Sequence, residues 1–375
     1  MNHNEEKPAY SPGLEGIIAG ETAISTLEGG LQYRGYPVQE LAEHCSFDQV
    51  AYLLLNGELP TEKELETFQS RVAMARRLPN PLKDLLQALP NWTPPLDALR
   101  TSVSVMAHFD QDLEETDHSG NMRKAERLYA QLPVAVADYF RFHRGQAAIF
   151  ALTELPHSAN FLYMLTGEMA PPEHVKAFDV SMILYAEHEF NASTFAARTI
   201  VSTESDLHSA VCGAIGALKG RLHGGANEHV MPILQEIATL DNAEKWVKEK
   251  LAKKERIMGF GHRVYKQGDV RAGILKKYAH EAAVATGNLQ WEEIAEVVER
   301  VMAEEKNMYP NLDWPAGRLY HTLGLDVSIY TPLFALARVV GWCAHAIEQL
   351  EHNRLIRPRS LYTGPTTRQV PLAGE

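Results

Sequence analysis

Apolar residues recur at helical spacing along most of this chain, and strand patterns are almost absent, so the sequence predicts a nearly all-α fold. Helical periodicity is found near 97–109, 122–143, 174–187, 207–219, 270–286, 291–306 and 331–350. Two helix starts carry capping boxes. Ser46-Phe-Asp-Gln49 precedes Val50, Ala51 and Leu54, and Thr61-Glu-Lys-Glu64 precedes Leu65, Phe68 and Val72. The best strand candidates, Ala23–Leu27 and Leu31–Arg34 around Glu28-Gly29-Gly30, predict a small N-terminal hairpin. Pro and Gly mark the joints at Pro79 to Pro95, Pro171-Pro172, Gly224-Gly225, Gly259 to Gly261, Gly268, Pro310, Pro315 and Pro358. At 375 residues two domains are expected. The proposed division is a large helical domain, 1–222 with 326–375, and a smaller inserted domain, 223–325.

Net charge is −12, which argues against a general nucleic-acid binder. From Lys248 to Lys277, however, ten Lys/Arg face three Asp/Glu. That run reads as a solvated helix face or as a cationic rim for a small phosphate-bearing ligand. The three cysteines, Cys45, Cys212 and Cys343, form no CxxC, so a disulfide framework or a cysteine-rich metal site is not expected and a reducing, cytoplasmic setting fits. The opening MNHNEEKPAYSP lacks the marks of a targeting segment, and no uncharged apolar run approaches the length of a membrane span.

Titratable residues cluster in unusual settings. His223 follows a predicted buried helix and precedes Gly224-Gly225, so it either caps that helix or meets a ligand. His262 ends Gly259-Phe260-Gly261-His262, whose backbone N–H groups suit an anion or a base edge; Lys266 and Arg271 follow. His188 lies between Glu187 and Glu189, where carboxylates would orient it, or it is a surface histidine. Asp313, in Tyr309-Pro-Asn-Leu-Asp-Trp-Pro315, is either a desolvated base or the N-cap of a helix after Pro315. Arg338 interrupts an apolar helix and needs an anion there, from a structural salt bridge or a substrate carboxylate. Arg357 and Arg359 serve alike or are surface cations. A helical protein holding a metal through its histidines is a competing reading, though thiols and carboxylates near them are sparse.

Several segments together resemble the citrate synthase family: GLEGIIAGETAISTLEGGLQYRGYPVQELAE, LHGGANE, GFGHRVYKQGDVR, the NLD of YPNLD, and RLIRPRSLYTGP. The resemblance covers nearly the whole chain. It implies a two-domain all-α fold, an obligate homodimer with shared active sites, and condensation of acetyl-CoA with oxaloacetate and water to citrate and CoA. By motif, Asp313 corresponds to the base, His223 to the group that stabilises the enolate, and His262 to the group that polarises the ketone. His188, Arg271, Arg338 and Arg357 correspond to oxaloacetate ligands, with Arg357 supplied by the partner subunit. Gly259, Phe260, Gly261 and Lys266 fall where the family holds CoA. No metal or cofactor is implied; the CoA thioester is a substrate. Within the family, 2-methylcitrate synthase uses propionyl-CoA with the same residues.

Overall fold

The computed structural model describes residues 10–262, 264–265 and 268–370. Among them are sixteen α-helices and one three-stranded sheet, so the all-α expectation holds with the small hairpin as its only sheet. The predicted helices appear as Pro95–Ala107, His118–Phe142, Pro172–Tyr185, Leu207–Leu218, Val270–Thr286, Leu289–Lys306 and Tyr330–Glu351. Both capping boxes form, each with the reciprocal pair of bonds that fixes where the helix begins.

The hairpin pairs Ser25 with Tyr33 and Thr26 with Gln32. A third strand, Tyr36–Pro37, was not anticipated. Arg34 and Gly35, at φ 49° and 86°, turn the chain sharply into it. The proline-rich stretch from Pro79, read as a joint, instead carries the helix Asn80–Ala88, because Pro81 sits in its first turn where no N–H is needed. The hairpin braces the centre of the molecule. The hydroxyl of Tyr33 donates to the Ile183 and Glu187 carbonyls at 3.1 and 3.0 Å, satisfying the end of the helix Pro172–Tyr185.

Buried apolar residues form two clusters. The larger runs from Ile24 to Ile347 and centres on Tyr330–Glu351. By length and composition that helix alone among the described residues could cross a membrane, yet it is packed inside the protein core. The smaller cluster is built from residues between Val230 and Trp314. The helix Asp313–Thr322 serves both, giving Trp314 to the smaller and Ala316, Leu319 and Tyr320 to the larger. Asp313 therefore stands where the two cores meet.

Tyr330–Glu351 approaches the segment after Tyr185 unusually closely at Gly341. A Cβ there would collide with the Ala186 carbonyl oxygen and with Glu187 Oε2. Gly341→Ala should therefore destabilise the fold by roughly 1–3 kcal/mol, the usual cost of overpacking. Urea unfolding measures this; a midpoint unchanged from wild type would show that the contact relaxes freely.

Candidate active site

Four elements converge near the C-terminal end of Pro172–Tyr185: the link 186–190, the start of Val270–Thr286, the start of Asp313–Thr322, and the middle of Tyr330–Glu351. Their side chains form one connected network of contacts.

Asp313 opens its helix without capping it, since the N-cap position belongs to Leu312 and no side-chain cap bond is made. Instead its Oδ1 accepts from the hydroxyl of Tyr185 at 2.6 Å. Burial raises its pKa, and the Tyr185 bond and the Arg271 charge pull only partly the other way. The result is a carboxylate more basic than one in water.

Arg338 is 2% exposed. Its Nε donates to the Tyr185 carbonyl oxygen and its guanidinium lies 4.6 Å from the centre of the Phe334 ring. Among the described residues no carboxylate lies within ion-pair distance of it, so no structural salt bridge of the kind considered from the sequence forms there. Burial lowers its pKa to about 10, with the nearby Glu187 charge acting in the opposite sense. Arg271 contrasts with it. Burial opposes its charge, but Asp269 grips it at 2.9 and 2.8 Å and holds its pKa above the ordinary value. The same carboxylate accepts from the N–H of Leu312 at 3.2 Å, tying Arg271 to the residue before Asp313.

The three histidines have fixed surroundings. His188 is buried, not on the surface, and its neighbours in sequence do not orient it. Glu187 instead accepts from His345 at 3.0 Å and Glu189 accepts from the N–H of Leu27 at 2.7 Å. His188 Nε2 meets the Tyr265 hydroxyl at 3.0 Å, and its ring stands 5.1 Å from that of His262. Burial, then Arg271 and Arg338, push its pKa well below the usual range, so it is neutral. His262 Nδ1 accepts from the N–H groups of Val264 and Tyr265 at 3.1 and 3.3 Å, which places the proton of the neutral ring on Nε2. His223 does not cap the helix before it. Its Nε2 accepts from the N–H of Ser193 at 3.2 Å and meets Ser193 Oγ at 2.7 Å. A backbone donor cannot reverse, so the neutral ring carries its proton on Nδ1. Burial, then Arg338, lowers the His223 pKa to about 4.

The 259–261 strip lies antiparallel to 309–311. The N–H of Gly261 donates to the Tyr309 carbonyl and the N–H of Asn311 to the Gly259 carbonyl, both at 2.9 Å. The Gly261 N–H is thus already used, which corrects the expectation that both glycine N–H groups await a ligand. Phe260 packs on Trp314 at 4.8 Å, so the segment bearing His262 is joined to the one bearing Asp313. A recess of about 220 Å³ opens beside it, lined by Gly261, His262, Tyr265, Asp269 and Tyr309 among others. Lys266 lies outside the described residues. Arg357 is exposed on the extended tail and forms no ion pair with a described residue.

Sequence reasoning missed Tyr185, Tyr265, Asp269, Ser193 and Trp342. Asp269 had a local signal, as an Asp just before a helical run that starts with Arg271. The others act across 30 to 153 residues, a distance no local pattern reports.

The assembly has clear relatives. Residues 13–359 match the family model described as citrate synthase, C-terminal domain. The chain is 47% identical to 2-methylcitrate synthase of Mycobacterium tuberculosis, over 98% of this chain and 94% of that one. It is 44% identical to citrate synthase of Mycolicibacterium smegmatis, over 97% and 98%. Among solved structures it matches citrate synthase from Thermoplasma acidophilum in ternary complex with carboxymethyl coenzyme A and oxaloacetate, at TM-score 0.92 and 34% identity, covering 98% of this chain and 100% of that one. The chain belongs to the citrate synthase family, a family of acyltransferases. Its relatives divide between the names citrate synthase and 2-methylcitrate synthase, and none of them supports the metal-site reading.

Keeping His223 neutral has a pH cost. Folding lowers its pKa from the usual 6.5 to about 4, so the stability it contributes is complete above 6.5 and drains away as the pH falls toward 4. The unfolding free energy of His223→Asn, measured in urea at pH 7 and pH 4.5, should fall less between the two than that of the wild type. Equal falls would assign the acid sensitivity to other groups.

Proposed function

We propose that this cleft condenses an acyl-CoA with oxaloacetate, acetyl-CoA giving citrate and free CoA. The observation that carries the reading is Arg338: a buried guanidinium with no carboxylate within ion-pair distance among the described residues, beside two neutral imidazoles and a carboxylate made basic by burial. An α-keto diacid supplies what is missing. One carboxylate pairs with the open fork of Arg338 and the other meets Arg271 and His188. The Nε2–H of His262 is suited to polarise the ketone.

Asp313 takes a proton from the carbon next to the thioester carbonyl. Charge moves onto the thioester oxygen, where the Nδ1–H of His223 donates to it. The carbon then attacks the ketone carbon and the former ketone oxygen takes the Nε2 proton of His262, which the proton gained by Asp313 offsets; water then cleaves the thioester, its hydroxyl going to the acyl carbon and its proton to the leaving CoA thiolate. Such a carbon acid is too weak to be deprotonated by a carboxylate without that fixed donor. The smaller unit, 223–325, would carry Gly259, Phe260, Gly261 and Lys266 against CoA and close over the larger once oxaloacetate binds. A second copy of the chain would supply Arg357, making the working unit a homodimer. The reading places the reaction in the cytoplasm.

Propionyl-CoA is the second reading, favoured by the identity to a 2-methylcitrate synthase. One methylene changes such discrimination by only about 1–3 kcal/mol, so both thioesters are expected to react at different rates. Thiol release with oxaloacetate and each acyl-CoA in turn measures the preference; release with neither rejects the function.

Asp313→Asn should lower kcat by at least about 100-fold, the scale of a lost general base, with oxaloacetate affinity nearly unchanged. Steady-state kinetics and calorimetry test both parts, and retained turnover would remove Asp313 as the base. Tyr185→Phe should leave Asp313 harder to ionise, because the hydroxyl bond favours its charged form. The acid limb of kcat/KM should then move to higher pH; an unmoved limb would show that the bond does not tune the base.

A further inference from the structure

The helix that presents Arg338 also presents Trp342 one turn later, fully buried. Its indole Nε1–H donates to Ser193 Oγ at 3.0 Å. Ser193 Oγ is the atom that meets His223 Nε2 at 2.7 Å. It also lies 2.8 Å from Asn191 Oδ1. Asn191 is the N-cap of the helix Ala192–Val201, and its Oδ1 is an acceptor because it takes the N–H of Thr194 at 3.1 Å.

A serine hydroxyl has one proton and two lone pairs. Trp342 is a donor only and fills one lone pair. The single proton then has two competing acceptors, Asn191 Oδ1 and His223 Nε2. If it goes to Asn191, Ser193 Oγ turns a lone pair toward Nε2, which the backbone N–H has already fixed as an acceptor, and the short contact is repulsive. If it goes to Nε2, it joins the backbone N–H of Ser193 on the same nitrogen and holds the ring in place. The indole bond fixes Oγ beside Nε2. Without it, the hydroxyl is free to turn to its near neighbour Asn191, and Nε2 keeps only the longer backbone bond.

We propose that Trp342 is a positioning residue that acts through Ser193 to hold the His223 ring in place, with Nε2 taken by donors and the Nδ1–H left for the substrate. The proposal rests on the reading that His223 donates to the thioester oxygen. Trp342 touches no substrate. One helix thereby carries the cation for the substrate carboxylate and also positions the imidazole.

The test is a double-mutant cycle of Trp342→Phe and Ser193→Ala, read in thiol release and in its pH dependence. Wild-type activity is measured first: its absence rejects the parent reading, and its presence leaves this proposal to be judged alone. Each single variant should lower kcat by roughly 10-fold, the loss expected for one misdirected hydrogen bond, with the KM for oxaloacetate within about 2-fold. The double variant should be no worse than the worse single, because both cut the same link. Loss of the hydroxyl donor should also move the acid limb of kcat to higher pH, a change that mere loosening of the core does not produce. Additive losses, or a kcat unchanged in Trp342→Phe, would overturn the proposal. If Trp342→Phe fails to fold, Ser193→Ala decides: an unchanged kcat and pH profile overturn it, and a fall in kcat with an unchanged KM and a shifted limb supports it.

Discussion

The site depends on a positive charge held where a protein interior least tolerates one. Arg338 lies inside the almost wholly buried helix Tyr330–Glu351 and has no carboxylate partner among the described residues. An isolated buried charge costs several kcal/mol, so its retention demands compensation. Part comes from the Tyr185 carbonyl oxygen, part from the Phe334 ring, and part from the negative charge of Glu187. Glu187 is itself anchored, since its Oε1 accepts from Ser25 and from His345, and Arg198 in turn donates to His345. The larger core thus builds a polar spine behind Arg338 and leaves its fork without a carboxylate among the described residues.

The same charge shapes the imidazoles. His188 and His223 are neutral first because they are buried and then because nearby guanidinium charge disfavours another cation, Arg271 ahead of Arg338 at His188 and Arg338 at His223. A neutral ring offers a proton at one nitrogen and a lone pair at the other, and backbone N–H groups decide which is which at His223 and at His262. Asp313, across the cleft, is raised by the desolvation that lowers the imidazoles. One physical cause therefore leaves a carboxyl of raised pKa together with two neutral imidazoles, the division of labour that the proposed carbon-acid chemistry requires.

The fold was legible in the sequence wherever local patterning acts. The long amphipathic helices and the two capping boxes lie where periodicity and cap chemistry place them. The helix Asn80–Ala88 was hidden by the prolines beside it, and the third strand by the unusual φ of Arg34. At the site, the oddity of each residue was readable: an arginine in an apolar helix, histidines beside glycines, an aspartate between prolines. What each one touches was not. Asp313 reads locally as a cap, but Tyr185 makes it a buried carboxyl, and Glu187 reads as a partner of His188 but serves His345. Pairings across the chain are fixed by packing, and sequence spacing does not encode them.

The most direct measurement is a crystal structure of the protein with oxaloacetate bound. The account predicts one carboxylate within hydrogen-bonding distance of the Arg338 Nη atoms, the other near Arg271 and His188, and the keto oxygen on Nε2 of His262. An oxaloacetate bound elsewhere, with Arg338 still lacking an anion, would contradict it.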